Sequence, residues 1–329
     1  MRFVKSPLRV SIGGGGTDLP FYYKKKGADL TFAAINKYIY IIVNETLENG
    51  YQISLESTNE NVGKMTQISN KYVAAVLENL NIDKNGLSIG SSSEVHSGTG
   101  LGSSGAFTVA LLKALEKHSQ MNLEKKELAE EAFEIERTKL NKSCGKQDQY
   151  AAAFGGIQRL KIKENGDTKI ERVNIDKNSI KDLETNLMLF YTNEKRYSEG
   201  IIKEQKRQMT KEKSKMNKMD EIKEIGQRIV EQLEKGNISK YGNLLDQHWN
   251  TKKKFTEKMT NPKIDKMYSK AKQNGALGGK IVGAGGGGFL LLYAEKKNHN
   301  NIKQALQEHN AKPMNFKFEK KGCKTIHER

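Results

Sequence analysis

An α+β protein of two domains is what this sequence predicts, and three observations carry that reading. Near the start, Leu8, Val10 and Ile12 alternate with Arg9 and Ser11, the period-two pattern of a strand with one buried face. A glycine- and serine-rich loop, residues 97–105, separates an extended run from a helix. The second half then changes to lysine-rich helical sequence, with Ile222, Ile225, Ile229 and Leu233 on one side. That change of character, between residues 165 and 195, sets the expected boundary: an N-terminal domain over 1–178 and a C-terminal domain over 179–329.

In chain order, the first strand runs into Gly13-Gly14-Gly15-Gly16-Thr17-Asp18, a flexible turn. Residues 35–43 and 52–55 read as further strands. Tyr72, Val73, Val76 and Leu80 have helical spacing. Residues 87–95 are extended and lead to the glycine-serine loop, and Ala106, Val109, Ala110 and Leu112 begin a helix directly behind it. Another helix is predicted over 123–140, its stripe built from Ala129, Ala132, Phe133 and Leu140. Glu136 falls on that stripe, where a carboxylate is costly unless paired. Strands follow at 157–162 and 187–191, helices over 198–255, and a glycine-rich strand-loop-strand at 278–293. One helix and one strand are expected at the end.

Composition narrows the function classes. The net charge is +17, but the positive charge is dispersed lysine interleaved with glutamate, as in Lys211-Glu212-Lys213. No zinc-finger spacing and no RNA-recognition aromatic motif occurs, so nucleic acid is not the expected partner. Such a field suits an anionic small molecule. Cys144 and Cys323 are far apart in sequence and read as reduced thiols of a cytoplasmic protein. With no apolar run of membrane length and no signal-like N-terminus, no membrane association is expected. A monomer or homodimer fits this composition.

The loop Ser97-Gly98-Thr99-Gly100-Leu101-Gly102-Ser103-Ser104-Gly105 has the chemistry of a phosphate cradle. Glycines let backbone amides approach an anion, and the helix behind aims its unpaired amides and partial positive charge at the same point. Gly100, Gly102 and Gly105 formally satisfy G-x-G-x-x-G. A dinucleotide-binding fold, however, needs a strand after the helix that ends in an acid, and here another helix follows. No G-x-x-x-x-G-K-[ST] occurs. Two more glycine clusters, 13–16 and 283–288, lie between apolar runs, and three in one chain suggest backbones converging on a ligand.

Taken in order, Ser6-Pro7-Leu8-Arg9 with Gly14-Gly15-Gly16-Thr17-Asp18, the loop from Gly98 to Gly105, and Gly279-Lys280-Ile281-Val282-Gly283-Ala284-Gly285-Gly286-Gly287 resemble the three motifs of the GHMP kinases. Within that family the Gly-Gly-Gly-Thr-Asp form, Glu134-Ile135-Glu136-Arg137 and Gln147-Asp148-Gln149-Tyr150 are most similar to kinases of D-glycero-D-manno-heptose 7-phosphate. Gly105 departs from the alanine that many members carry. The resemblance implies an N-terminal domain like ribosomal protein S5 domain 2 and a ferredoxin-like C-terminal domain, with ATP and sugar meeting between them. It implies ATP and Mg2+ as cofactors and transfer to the anomeric hydroxyl of the heptose phosphate. Another sugar 1-kinase, fucokinase- or galactokinase-like, and a non-catalytic binding protein on the same scaffold stay open.

By the same resemblance, Asp148 and Arg9 are the expected catalytic pair. Ser97, Gly98, Gly100, Leu101, Gly102, Ser103, Ser104 and Gly105 hold ATP. Ser104 and Glu136 hold the metal. Gly15, Gly16, Thr17, Asp18, Gly285, Gly286 and Arg196 face the substrate. Lys195, Arg196 and the Lys252-Lys253-Lys254 run beside Trp249 are candidates for a distal substrate phosphate, and His96 is a candidate neighbour of the phosphate loop.

Overall fold

The structure is a computed structural model and describes residues 1–56, 58–82, 86–119, 121–194 and 198–328. Strands β1 (Arg2–Gly13), β2 (Ala28–Glu45), β3 (Tyr51–Leu55), β4 (Thr58–Val62), β5 (Leu87–Ser93), β6 (Ile157–Ile162) and β7 (Thr168–Arg172) belong to one sheet. Strands β8 (Leu187–Tyr191), β9 (Ala276–Ile281), β10 (Phe289–Ala294) and β11 (Lys312–Pro313) form a second, in the order β11-β8-β10-β9. The last strand, β12 (Lys324–Glu328), pairs antiparallel with β1, so the chain ends in the first sheet, across the boundary expected at residue 178. Strand β2 is long enough to serve two neighbours: residues 28–33 pair with β6 and residues 39–45 with β5. Among the described residues only β3 and β5 run parallel.

Helices in the first half are α1 (Pro20–Lys26), α2 (Lys71–Asn79), α3 (Ser103–Leu115), α4 (Lys125–Glu134), α5 (Gln147–Phe154) and α6 (Lys177–Asn186). Helix α3 is buried almost all round, as expected of a helix apolar on every side, and packs on β1, β2, α4 and α5. The second half carries α7 (Ser198–Lys211), α8 (Lys213–Glu234), α9 (Ser239–Lys252), α10 (Pro262–Gln273) and α11 (His299–Gln307). The long helical stretch expected over 198–255 is thus three helices. Helix α8 crosses onto β1 and β2, with Gly13 and Gly226 in close backbone contact. Helix α9 lies on β9, where Gly278 meets the carbonyl of Gly242 so closely that a Cβ would sit 2.0 Å from that oxygen. The two smallest residues at this crossing bring the side chains that follow each of them into one neighbourhood.

The single helix expected over 123–140 is interrupted. After α4 the backbone widens into a π turn at Ile135–Lys139, with Leu140 N–H bonded to the Ile135 carbonyl. Such bulges are frequent at functional sites, and Glu136 stands in this one, 1 % exposed.

Candidate active site

The end of β1, the loop before α3, the N-terminus of α5, α9 and β9 enclose a cleft of about 460 Å³. Gly98, Gly100 and Gly102 all adopt positive φ (78°, 98° and 80°), which lets the loop double back in front of α3. Gly102 is the N-cap of α3 and supplies no capping side chain, and the first turn carries no acid. The amides of Ser103, Ser104 and Gly105 are therefore left to meet an anion, together with the helix dipole. Ser97, Gly98, Gly100, Gly102, Ser103 and Ser104 line the cleft. Leu101 and Gly105 do not: the Leu101 carbonyl accepts the Arg9 N–H at 3.0 Å, fastening the loop to β1. Gly105 lies beneath Asp148, whose Cβ would be 2.7 Å from an added Cβ. That contact is the local reason for glycine where many relatives of the motif carry alanine.

Arg9 and Asp148, 139 residues apart, meet at this point. Arg9 Nε and Nη2 both donate to Asp148 Oδ1, at 2.8 and 2.6 Å, and Nη1 donates to the Gly100 carbonyl at 2.5 Å. The guanidinium thus bridges the phosphate loop and the carboxylate. Its side chain is 5 % exposed against 29 % for Asp148, so the carboxylate opens to the cleft and the arginine braces it from behind. Both bonds go to Oδ1, so the guanidinium leaves Oδ2 unengaged.

Glu136 is reached through Ser104. Its Oε2 accepts from Gln149 Nε2 at 2.5 Å, and Oε1 accepts from the Tyr72 hydroxyl at 3.3 Å. Tyr72 also contacts Lys142, which lines the cleft and whose pKa burial pulls below the usual lysine value. Burial pushes the Glu136 carboxyl up to about 7, assisted by Asp148 and opposed by hydrogen bonds from Ser104 and Gln149. Among the described residues no cation pairs with it. A desolvated carboxylate without a counter-ion, beside a serine hydroxyl at a phosphate loop, fits a divalent cation. Among the described residues no group of three or more His, Cys, Asp or Glu could complete such a site. Phosphate oxygens and water would supply the remaining ligands, the habit of Mg2+.

Asp18 is buried and held by two backbone amides, Gln147 at 2.9 Å and Gly16 at 3.3 Å. Its pKa is raised, by desolvation first, against the Gln147 hydrogen bond. Gly15, Gly16 and Asp18 line the cleft. Thr17 does not: it is fully buried, and its hydroxyl faces the Gly14 and Asp29 carbonyls, at 2.8 and 3.3 Å. Gly285 and Gly286 also turn away, packed against Met259 and Ile201, while Gly283 and Ala284 of the same loop line the cleft. His96 is exposed and bonds Glu56 at 2.5 Å. Of the 252–254 lysines only Lys252 lines the cleft; Lys253 stacks on Trp249 and Tyr268. Lys195 and Arg196 lie outside the described residues.

Ser11, His248 and Lys280 are among the cleft residues to which the sequence gives no role. Lys280 stands inside the third glycine motif, a charge in an apolar strand, and that was the one available signal. His248 shares an i, i+4 row with Leu244 and Lys252 on α9, which looks equally like a packing position.

With this geometry in hand, comparison with known proteins is informative. The family described as GHMP kinases N terminal domain matches residues 68–156, and GHMP kinases C terminal matches residues 229–312. The D-glycero-alpha-D-manno-heptose 7-phosphate kinase of Campylobacter jejuni is 29% identical over 98% of this chain and 97% of its own. The bifunctional fucokinase/GDP-fucose pyrophosphorylase of Arabidopsis thaliana is 22% identical over 93% of this chain but only 31% of its own length. Among solved structures, a D-glycero-D-manno-heptose 1-phosphate kinase from Bacteroides thetaiotaomicron superposes with a TM-score of 0.84 at 25% identity, covering 100% of both chains. Because both halves of the family signature fall on the elements that wall the cleft, and sugar-kinase relatives align along the full chain, this chain belongs to the GHMP kinases and is an ATP-dependent sugar kinase.

Proposed function

We propose that this kinase transfers the γ-phosphoryl group of ATP to the anomeric hydroxyl of D-glycero-D-manno-heptose 7-phosphate, giving the 1,7-bisphosphate. The observation that carries the chemistry is the Arg9–Asp148 pair, with Oδ1 fixed by the guanidinium, Oδ2 not engaged by it, and the Asp148 side chain 29 % exposed in the cleft lining. Oδ2 takes the proton of the attacking hydroxyl as the new O–P bond forms and the bond to the leaving ADP oxygen breaks. An anomeric hydroxyl is acidic enough for a carboxylate to serve. Arg9 steadies Asp148 and, through Gly100, the loop that holds the phosphates; an arginine cannot itself be the base. The loop amides and Ser103 bind and orient the nucleotide phosphates. Ser104 and Glu136 would hold Mg2+, which would supply charge neutralisation for those phosphates. Asp18, with the Gly15 and Gly16 backbone, accepts hydrogen bonds from vicinal sugar hydroxyls. The choice of sugar is supported by the likeness to the Campylobacter jejuni kinase, which aligns with nearly all of this chain.

Release of ADP is to be measured against free sugars and sugar 7-, 6- and 1-phosphates, with Asp148→Asn beside the native enzyme. The expected result is turnover of heptose 7-phosphate that Asp148→Asn lowers by about 10²–10⁴-fold. Activity confined to unphosphorylated hexoses rejects the heptose reading, and unchanged turnover by Asp148→Asn rejects the role of the carboxylate.

A further inference from the structure

The inner wall of the cleft contains more positive and hydrogen-bond-donating groups than the nucleotide site uses. Lys280 is 1 % exposed, and no carboxylate among the described residues lies within ion-pair distance of it. Among the described residues, the only hydrogen bond of its side chain is to the Ile12 carbonyl at 3.5 Å, the outer limit of such a contact. Burial lowers its pKa well below the usual lysine value, and the nearby charges, Lys252 and Arg9, push the same way. His248 is fully buried, and among the described residues both ring nitrogens lack a partner. The Ser11 hydroxyl and the Gln147 amide nitrogen are likewise buried without partners among the described residues. All of these residues line the same cleft as Asp148.

Buried polar atoms are almost always satisfied, so unpartnered donors gathered at a cleft wall mark a place for a ligand. Each of the groups can donate: an ammonium, an imidazole N–H, a hydroxyl and an amide. A neutral sugar hydroxyl would leave the Lys280 ammonium uncompensated. An anion with several acceptor oxygens satisfies the whole set and keeps Lys280 protonated. The wall is also separate from the phosphate loop in construction. Its lysines and histidine come from β9 and α9, which the Gly242–Gly278 contact locks together, and Ser11 comes from the end of β1, whereas the nucleotide amides belong to α3.

We infer that Lys280, His248, Lys252 and Ser11 form a subsite for the dianionic phosphoryl group that the sugar substrate already carries. This rests on the proposed heptose phosphate reading and names the residues that distinguish a phosphorylated sugar from a free one. Lys252, whose Nζ also donates to the Gly283 carbonyl at 2.6 Å, closes the subsite against the third glycine loop.

The test compares Lys280→Met and Lys252→Met with the native enzyme on D-glycero-D-manno-heptose 7-phosphate and on the unphosphorylated heptose. Losing a charge-assisted hydrogen bond predicts that kcat/KM falls about tenfold or more further for the phosphorylated sugar than for the free one. The rise is expected in KM for the sugar phosphate and not in KM for ATP. Equal losses on both sugars, or a loss seen only in KM for ATP, overturn the proposal. Inorganic phosphate provides a second readout that needs no particular sugar. It is expected to inhibit the native enzyme competitively with the sugar and to lose that inhibition in Lys280→Met. Competition with ATP instead places the anion in the nucleotide site and refutes the subsite. If the native enzyme acts only on free sugars, the heptose phosphate reading fails by itself, and the phosphate inhibition pattern still decides whether the subsite binds an anion.

Discussion

Glu136 is where a cost to the fold and a proposed gain in function can be measured on the same residue. Burial raises its carboxyl from 4.5 to about 7. At about 1.4 kcal/mol per pKa unit, that difference corresponds to about 3 kcal/mol against the ionised form in the folded, metal-free protein. A group whose folded pKa is raised contributes stability that is complete below the unfolded value and disappears as pH rises through the folded one. The metal-free protein is therefore expected to lose stability between pH 4.5 and about 7 on this account. Glu136→Gln keeps the shape and the neighbours Gln149 and Ser104 but cannot ionise. With an unfolding entropy of roughly 2.1 cal/mol/K per residue over 329 residues, 3 kcal/mol is about 4 °C in Tm. In EDTA, Glu136→Gln is expected to melt about 4 °C above the native protein at pH 8 and level with it at pH 4.5. Other titrating groups cancel in the difference. Added Mg2+ with nucleotide is expected to raise the native Tm at pH 8 more than that of the variant. A difference between the two proteins that stays flat from pH 4.5 to 8 would refute the buried-carboxylate argument.

Three further outcomes follow from the same geometry. Arg9→Lys keeps a charge but loses the planar fork that holds Asp148 through two nitrogens and Gly100 through a third, so kcat is expected to fall about 10²-fold, read by coupled ADP release, with nucleotide binding weakened less. Gly105→Ala forces a Cβ to 2.7 Å from that of Asp148. Displacing α5 by a fraction of an ångström is expected to lower kcat by about tenfold or more while the protein still melts cooperatively. Cys144 lines the cleft, yet burial raises its thiol far above the usual range. Alkylation at pH 8, followed by mass spectrometry, is expected to proceed at less than about a tenth of the rate of free cysteine.

Local pattern made the elements legible, and long-range contact decided the roles. Period-two alternation marked β1, and the residue it turned away from the apolar face, Arg9, does face the cleft. Nothing within either segment announces that Arg9 meets Asp148; that pairing was available only through resemblance to a family. The helix read over 123–140 failed at Ile135 because apolar spacing is nearly the same for an α and a π turn, while the backbone bond from Leu140 to Ile135 is not. Thr17 looked like a substrate hydroxyl, but the turn at Gly14, with φ 69°, sends it inward to backbone carbonyls. Lys280 is the opposite case. A lone lysine in a strand ordinarily reaches solvent, but this one is 1 % exposed, with its Nζ at the Ile12 carbonyl near the end of β1.

The three glycine clusters show why a glycine's task is not legible from composition alone. All three reach the cleft, through Gly15 and Gly16, through Gly98, Gly100 and Gly102, and through Gly283, and the middle one leads into the N-terminus of α3, yet other glycines of the outer two serve packing. Gly14 is pressed against the Asp29 carbonyl, 2.3 Å from where its Cβ would be, and Gly288 against that of Thr99, at 2.0 Å. The outer clusters therefore spend their missing side chains on other backbone: the first seats β1 on β2, and the third seats its loop behind the phosphate loop, where Phe289 N–H bonds the Thr99 carbonyl at 3.2 Å. A glycine that admits a ligand and a glycine that admits a neighbouring strand are identical in sequence, and they respond differently to substitution. Gly98→Ala meets no atom within 4 Å and carries only the strain of φ 78°. It is expected to weaken ATP binding with a small loss of Tm, of about 1–3 kcal/mol in origin. Gly288→Ala must separate two loops and is expected to lower Tm sharply. If the two variants lose nucleotide affinity and Tm in the same proportion, the distinction between cradle and spacer is wrong.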